Sequence, residues 1–448
     1  MRIPEILQVE TSHSPAGVAG VLNVIAEAGF VPEHVSLVRR DQDRTLWEIT
    51  VEIDAAAHER LVERLNALPA TRFVGSSDRA FDRHRGGKIE MRSRVGVSSA
   101  QILRDIYTPG VTRVCLAIRE APRRALDLTY LGRAVAIVTD GSAVLGLGNI
   151  GPRAALPVIE GKAALFASLV GISGIPILID GSAVDHLVDV VCTIAPSFGA
   201  LLLVGVSAPR CFEIEQKLRA RLPLPVLHDD QHGTAVVVLA ALLNATKQIG
   251  APLSALTVGV VGLGAAGLGI ARLLQAHGVK RLLGTDVRLE AMGRLAQLHG
   301  HRESLERILA TADAVICTTG ATHLIAPDRI RSGQIIFALS NPDPEIEPAA
   351  ALAAGAAIAA DGKSISDTLC FPGLFHGALT AHARAFSDAM LLAAARAIAT
   401  AAPSGQLLPD PLERAVHERV SEAVQKTVIS PVPLAVGPAA RTAAPGQA

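Results

Sequence analysis

The chain has 448 residues, half of them apolar and 19% charged, which is too long for one compact core and too apolar for a mostly disordered protein. Its 42 basic and 42 acidic residues cancel, so neither nucleic acid nor an anionic membrane is expected as a main partner. Five cysteines with no C-x-x-C spacing argue against a disulfide framework or zinc knuckle, and no stretch reaches the roughly 18 apolar residues of a membrane span. With no basic-then-apolar segment after Met1, a cytoplasmic multi-domain protein is expected.

Residues 1–80 read as a βαββαβ unit. Ile6 to Glu10 is a short apolar strand; Ser14-Pro15-Ala16-Gly17 opens a helix with Val18, Val21, Leu22 and Ile25 at helical spacing, closed by Gly29. Val35 to Arg39 and Leu46 to Ile53 pair around the polar turn Arg40-Asp41-Gln42-Asp43, and a helix from Ala55 to Leu68 leads to a strand near Phe73. Two helices on one face of a four-stranded antiparallel sheet is the ferredoxin-like arrangement. Residues 81–94, polar and basic around Gly86-Gly87, read as a linker. From residue 95 strand and helix patterns alternate to about Thr400, the signature of α/β layers. They divide into a first domain at 95–235 and a nucleotide-binding Rossmann domain at 236–402, leaving 403–448 as a C-terminal helix and disordered tail.

G-x-G-x-x-G occurs twice, and context separates the two. Gly262-Leu263-Gly264-Ala265-Ala266-Gly267 follows a strand, Leu256 to Val261, and opens an apolar helix, Leu268 to Ala276. A second strand, Arg281 to Gly284, then leads to Asp286. Glycines there let the backbone approach a pyrophosphate on the helix N-terminus, and the acid takes the ribose hydroxyls. An aspartate also repels a 2′-phosphate, which favours NAD over NADP, although Arg288 nearby leaves that preference open. Gly146-Leu147-Gly148-Asn149-Ile150-Gly151 has no acid at the matching distance, where Gly171 stands, and reads as a tight loop between core elements.

Several further stretches resemble the bacterial NAD-dependent malic enzymes, in order over roughly residues 88 to 400. They are Tyr107-Thr108-Pro109-Gly110-Val111, Val138-Thr139-Asp140-Gly141 through Pro152, Glu160-Gly161-Lys162-Ala163, Ser207 to Glu215, His228-Asp229-Asp230-Gln231-His232-Gly233-Thr234, Ala338-Leu339-Ser340-Asn341-Pro342 and Phe371-Pro372-Gly373. The first eighty residues resemble an ACT domain, which implies either an amino-acid effector site or a dimer contact. The resemblance implies an α/β fold with a substrate domain at 95–235, and oxidation of malate at C2 with NAD followed by decarboxylation to pyruvate. It makes Lys162 the base, Tyr107 the acid, and Asn341 a contact to substrate and cofactor. A lysine serves as a base near neutrality only if burial or a neighbouring cation depresses its pKa. As plainer alternatives, Lys162 would be a helix-end lysine and Tyr107 a turn aromatic. A homodimer or larger assembly is also implied.

The family's divalent cation, Mg²⁺ or Mn²⁺, is held by a Glu-Asp pair and by the second Asp of the His-Asp-Asp-Gln motif. Here the motif supplies Asp230, with Asp229 beside it, but Val204 and Gly205 occupy the Glu-Asp positions. Neither side chain can ligate a hard cation, which needs oxygen donors. The stretch after Gly362-Lys363-Ser364 is shortened, and Asp367 stands where the family has a substrate-binding asparagine; a carboxylate there either repels a dicarboxylate or replaces a lost metal ligand. Three functions therefore stay open: an NAD-dependent malic enzyme with an edited metal site, a metal-independent NAD dehydrogenase of another small hydroxy or amino acid, and an inactive sensor of NAD and amino acids.

Overall fold

The computed structural model describes residues 3–77, 79–144, 146–181 and 183–428. The tail expected to be disordered beyond residue 430, and Leu145 just before the first glycine motif, lie outside the described residues.

The N-terminal unit runs β1 (Ile3–Ser12), α1 (Pro15–Glu27), β2 (Pro32–Arg40), β3 (Arg44–Ile53), α2 (Ala55–Asn66) and β4 (Thr71–Ser76). Its sheet has the order β2-β3-β1-β4, with every neighbouring pair antiparallel, so the expected ferredoxin-like topology is present. Alternate residues of β1 and β3 (Leu7, Val9, Ile49, Val51) meet Val21, Ile25, Leu61 and Leu65 from the helices in one small core. Asp54 starts α2 by accepting the Ala57 amide at 2.9 Å.

The segment that reads as a linker is docked rather than free. The helix α3 (Arg79–His84) runs into it, and beyond that helix the Lys88 ammonium donates to the Pro157 carbonyl at 2.7 Å while its amide donates to Glu160 at 3.2 Å. Its polarity reflects these bonds to the next domain. Then come α4 (Ala100–Ile106), α5 (Val111–Glu120) and α6 (Ala125–Leu128), and none of the three buries a residue. Leu103, Ile106, Tyr107, Leu116 and Leu128 all stand exposed along this stretch.

The next layer is β5 (Ala134–Thr139), α7 (Gly151–Leu165), β6 (Ser173–Leu178), α8 (Val184–Ile194), β7 (Ala200–Leu203), α9 (Arg210–Arg221) and β8 (Val226–His228). Its strands form a parallel sheet ordered β6-β5-β7-β8. All six residues of β5 are buried, as a strand covered on both faces requires. The chain continues as α10 (Asp229–Ile249), a 21-residue helix with buried residues on every side. A helix apolar all round lies inside a core, and α10 shares one hydrophobic cluster with β5, β7 and the following sheet. The division expected at 235 thus falls within a continuous helix; apolar periodicity alone does not mark a boundary where both neighbours are buried.

The second sheet is built from β9 (Thr257–Val261), α11 (Ala265–His277), β10 (Arg281–Thr285), α12 (Leu289–Gln297), β11 (His301–Arg302), α13 (Leu305–Thr311), β12 (Ala314–Cys317), β13 (Ile335–Ala338), α14 (Pro348–Ala353) and β14 (Ile358–Asp361). It is wholly parallel in the order β11-β10-β9-β12-β13-β14. This is the doubly wound dinucleotide order, which places ligands at the carboxyl ends beside β9 and β12. Finally, of α15 (Phe371–Thr380), α16 (Asp388–Ala401) and α17 (Arg414–Gln425), α16 packs back onto α10 and α17 packs on α15 and α16, while Phe371 and Phe375 meet Phe166 edge to face at 5.0 and 5.6 Å. No helix among the described residues is long and apolar enough to cross a membrane.

Candidate active site

Lys162 sits on α7 beside the buried Ile159 and Ala163, so its stem is held by the core while its ammonium turns to one side. There it meets two carboxylates, Asp229 at 2.5 Å and Asp367 at 2.8 Å. The Phe371 ring lies below it, 4.5 Å from its centroid. Asp229 opens α10 and is completely buried, whereas Asp367 follows β14 and keeps 32% of its side chain exposed. Three remote segments therefore converge on one ammonium.

The electrostatics follow from this packing. Burial alone lowers the Lys162 pKa, but Asp229 and Asp367 outweigh it and carry the group well above the ordinary lysine range. Burial pushes Asp229 up to about 8 against the pull of Lys162. Burial also raises Asp367, yet Lys162 overcomes it and leaves that carboxyl below the usual range. The depressed lysine expected of a base is not what forms. Its neighbours are anions, and they hold the ammonium.

A cavity of about 240 Å³ opens beside this cluster. Its polar lining is Thr139, Lys162, Asp230 and Asp367; Val144, Val158, Leu165 and Val204 supply much of the rest. Asp230 projects toward Gly205, whose amide donates to it at 3.2 Å, and stands 3.4 Å from the His228 ring. Asp229 and Asp230 are thus separated in role, one paired with lysine inside and one facing the cavity.

Tyr107 is elsewhere. It is 67% exposed and does not line the Lys162 cavity. Asn341 lies on the loop after β13, where its backbone comes close to Gly146 of the first glycine motif: a Cβ there would sit 2.9 Å from the Asn341 carbonyl. That motif is the tight loop expected, closed by the Val144 amide on the Gly148 carbonyl at 2.9 Å. Asn341 also borders a larger cavity of about 470 Å³ between the N-terminal unit and the Rossmann sheet.

The second motif has the geometry a dinucleotide needs. Gly262 has φ +88°, and a Cβ on Gly267 would lie 1.9 Å from the Gly262 carbonyl, so neither position accepts a side chain. Ala265 and Ala266 form the first turn of α11, with their amides at the helix start. Asp286 ends beside β10, but it is occupied: its carboxylate accepts from the Leu263 amide at 2.7 Å and from Arg288 at 3.1 Å. Burial raises it, and these bonds pull it below the ordinary carboxylate range. Arg288 is therefore held by Asp286. Asp286→Ala should release it and shift the NADP-to-NAD ratio of kcat/KM by at least about tenfold toward NADP, as steady-state kinetics with both cofactors would measure.

Sequence reasoning missed two features. The first is the pairing of Asp229 and Asp367 with Lys162, which 205 residues of separation between Lys162 and Asp367 conceal. The second is Glu215, buried on α9, which accepts from the His228 amide at 3.2 Å and approaches the His232 ring at 3.0 Å. The His232 ring is thus engaged by Glu215, and His228 is tied to the same carboxylate through its backbone amide.

The donor set does not fit a divalent cation. A hard dication takes about six oxygens, several of them anionic. Here two carboxylates are already paired with Lys162, Asp230 is turned to a backbone amide, and the Val204 side chain is buried. Among the described residues no group of three or more acidic, histidine or cysteine side chains is placed to hold a metal.

A parallel sheet carrying an acid–base cluster, set against a doubly wound sheet with a glycine fingerprint, is the architecture of a dinucleotide-dependent oxidoreductase. Residues 87–219 match the family model described as malic enzyme, N-terminal domain, and 234–326 that of the D-isomer specific 2-hydroxyacid dehydrogenase NAD binding domain. The chain is 46% identical to NAD-dependent malic enzyme 1 of Bacillus subtilis, covering 95% of this chain and 98% of that one, and 39% identical to an NAD-dependent malic enzyme of Geobacillus stearothermophilus over 89% of each. The malic enzyme structure from Pyrococcus horikoshii superimposes with a TM-score of 0.73 at 38% identity, covering 78% of this chain and 89% of that one. The NAD-dependent malic enzyme structure from Thermotoga maritima gives 0.72 at 36% identity, covering 78% and 99%. The chain belongs to the malic enzyme family.

Proposed function

We propose that the protein is an NAD-dependent oxidoreductase that converts malate to pyruvate and CO₂. The observation that carries this reading is the 46% identity to an NAD-dependent malic enzyme over nearly the full length of both chains. Gly262, Gly264, Ala265, Ala266 and Gly267 would hold the pyrophosphate of NAD, Asp286 would select it, and Asn341 would contact its reactive end and the substrate. When bound, NAD supplies the hydride acceptor. Lys162 engages the C2 oxygen, and Asp367 lies within reach of the same atom. Tyr107 would deliver the proton to C3 that completes pyruvate.

Tyr107 reaches such a substrate in an assembly of at least two copies, since its own chain leaves it exposed and away from the cavity. The unburied helices α4 and α5, with Leu103, Ile106 and Leu116 outward, suit a dimer interface. The ferredoxin-like unit suits an ACT-like regulatory role with an amino-acid effector. Its Glu33 and Glu52 contact Lys363, four residues before Asp367, at 3.5 and 2.5 Å. Five free cysteines accord with a cytoplasmic setting.

The test is direct: purified protein with L-malate and NAD should form NADH and pyruvate in equal amounts. NADH without pyruvate would instead favour simple dehydrogenation of a hydroxy acid, a reading that the apolar lining of the cavity also supports.

A further inference from the structure

We infer that this site works without a divalent metal: the Lys162 ammonium is the resident cation at the C2 oxygen, and Asp367, not Lys162, accepts the hydroxyl proton. The inference rests on the proposed hydroxy-acid oxidation and assigns its charges.

The geometry supports it in four ways. Lys162 lies 2.5 Å from the buried Asp229 and 2.8 Å from the partly exposed Asp367, so a cation is already fixed between the two acids. The Phe371 ring 4.5 Å from the ammonium adds a third neutral-to-negative surface that favours the charged form. Val204 and Gly205 bring no oxygen-bearing side chain to the cavity wall, and the Gly205 amide takes a lone pair of Asp230 at 3.2 Å. Lys162 and Asp367 both line the cavity, whereas Asp229 does not. The inner acid fixes the ammonium, and the outer acid is the one that substrate can touch.

The electrons and protons balance on these residues. The C2–H bond breaks with its electron pair leaving to the nicotinamide of NAD, the oxidant. The C2 O–H bond breaks, its proton goes to the Asp367 carboxylate, and C2=O forms. Loss of CO₂ then sends the C3–C4 electron pair toward the C2 oxygen, where the Lys162 ammonium donates a hydrogen bond to the enolate. Protonation at C3 restores the ketone. An ammonium in this place performs the charge stabilisation for which a metal is otherwise used.

The experiment uses Mn²⁺ as probe. Free Mn²⁺ is read by electron paramagnetic resonance while it is titrated into the NAD-loaded wild-type protein and into Val204→Glu/Gly205→Asp. Gly205 has φ +63°, a conformation aspartate tolerates, and a Cβ there meets nothing closer than 3.3 Å. No wild-type binding tighter than about 1 mM, with binding at least about tenfold tighter in the double variant, is the expected result. Stoichiometric Mn²⁺ binding by the wild type overturns the inference, and so does absence of binding in both proteins, because these two positions would then not be what excludes the cation. In parallel, NADH formation should survive EDTA treatment unchanged, and Asp367→Asn should lower kcat by at least about 100-fold. Turnover that is lost with EDTA and restored by Mn²⁺ overturns the inference while leaving malate oxidation intact. If malate is not oxidised under any condition, the proposed activity falls alone, and the Mn²⁺ titration still decides the metal question.

Discussion

Lys162→Ala should lower turnover by roughly 10²–10⁴-fold and also lower stability by about 3–5 kcal/mol. The two losses have different origins. Activity falls because the C2 oxygen loses its cationic partner. Stability falls because Asp229, fully buried, and Asp367, two-thirds buried, lose their shared counter-charge. Leaving one member of a buried ion pair alone is worse than never having the pair. Adding Asp229→Asn to Lys162→Ala should therefore recover much of the stability and none of the activity. Thermal melts beside NADH assays on the three proteins separate the effects. A Lys162→Ala protein that melts like wild type would contradict the buried cluster.

Mixing two inactive variants should produce an active protein. Tyr107→Phe and Lys162→Ala, each inactive alone, are co-expressed under different tags and the doubly tagged hybrid is isolated. In an isologous dimer whose sites combine Tyr107 of one copy with Lys162 of the other, one site of the hybrid holds both mutations and the other holds neither. The hybrid then recovers about half the wild-type activity per dimer. If each chain supplies both groups to its own site, the hybrid has no intact site and stays inactive. The exposed position of Tyr107, away from the Lys162 cavity, favours the first outcome.

Much of the architecture was legible because it depends on local patterns. Alternation in β1 and β3, helical spacing in α1, and glycines at Gly262 and Gly267 each announce themselves within a few residues. The site was legible only in pieces. Lys162, Asp229 and Asp367 were each singled out, but the motifs do not state that they touch, and that contact reverses the expected charge state of the lysine. The polar stretch at 81–94 looked like a linker because hydrophilicity does not distinguish solvent from bonds to Pro157 and Glu160. Asp286 was read as open to a ribose because Arg288, two residues on, carries no sign in one dimension of where its guanidinium will turn.

The helix α10 has a consequence for how this architecture can be recombined. It begins at Asp229, a partner of Lys162, and runs without interruption to Ile249, just short of the sheet that bears the glycine fingerprint. The catalytic half and the nucleotide half therefore share a beam rather than a hinge, and a chimera joined near residue 235 would splice two unrelated helix faces inside one core. The natural seam is Gly250, at φ +70°, with Pro252 just after it. A nucleotide-binding half exchanged at that point would arrive with the Asp229 end of the helix undisturbed, so cofactor preference could be transplanted while the lysine cluster keeps its geometry.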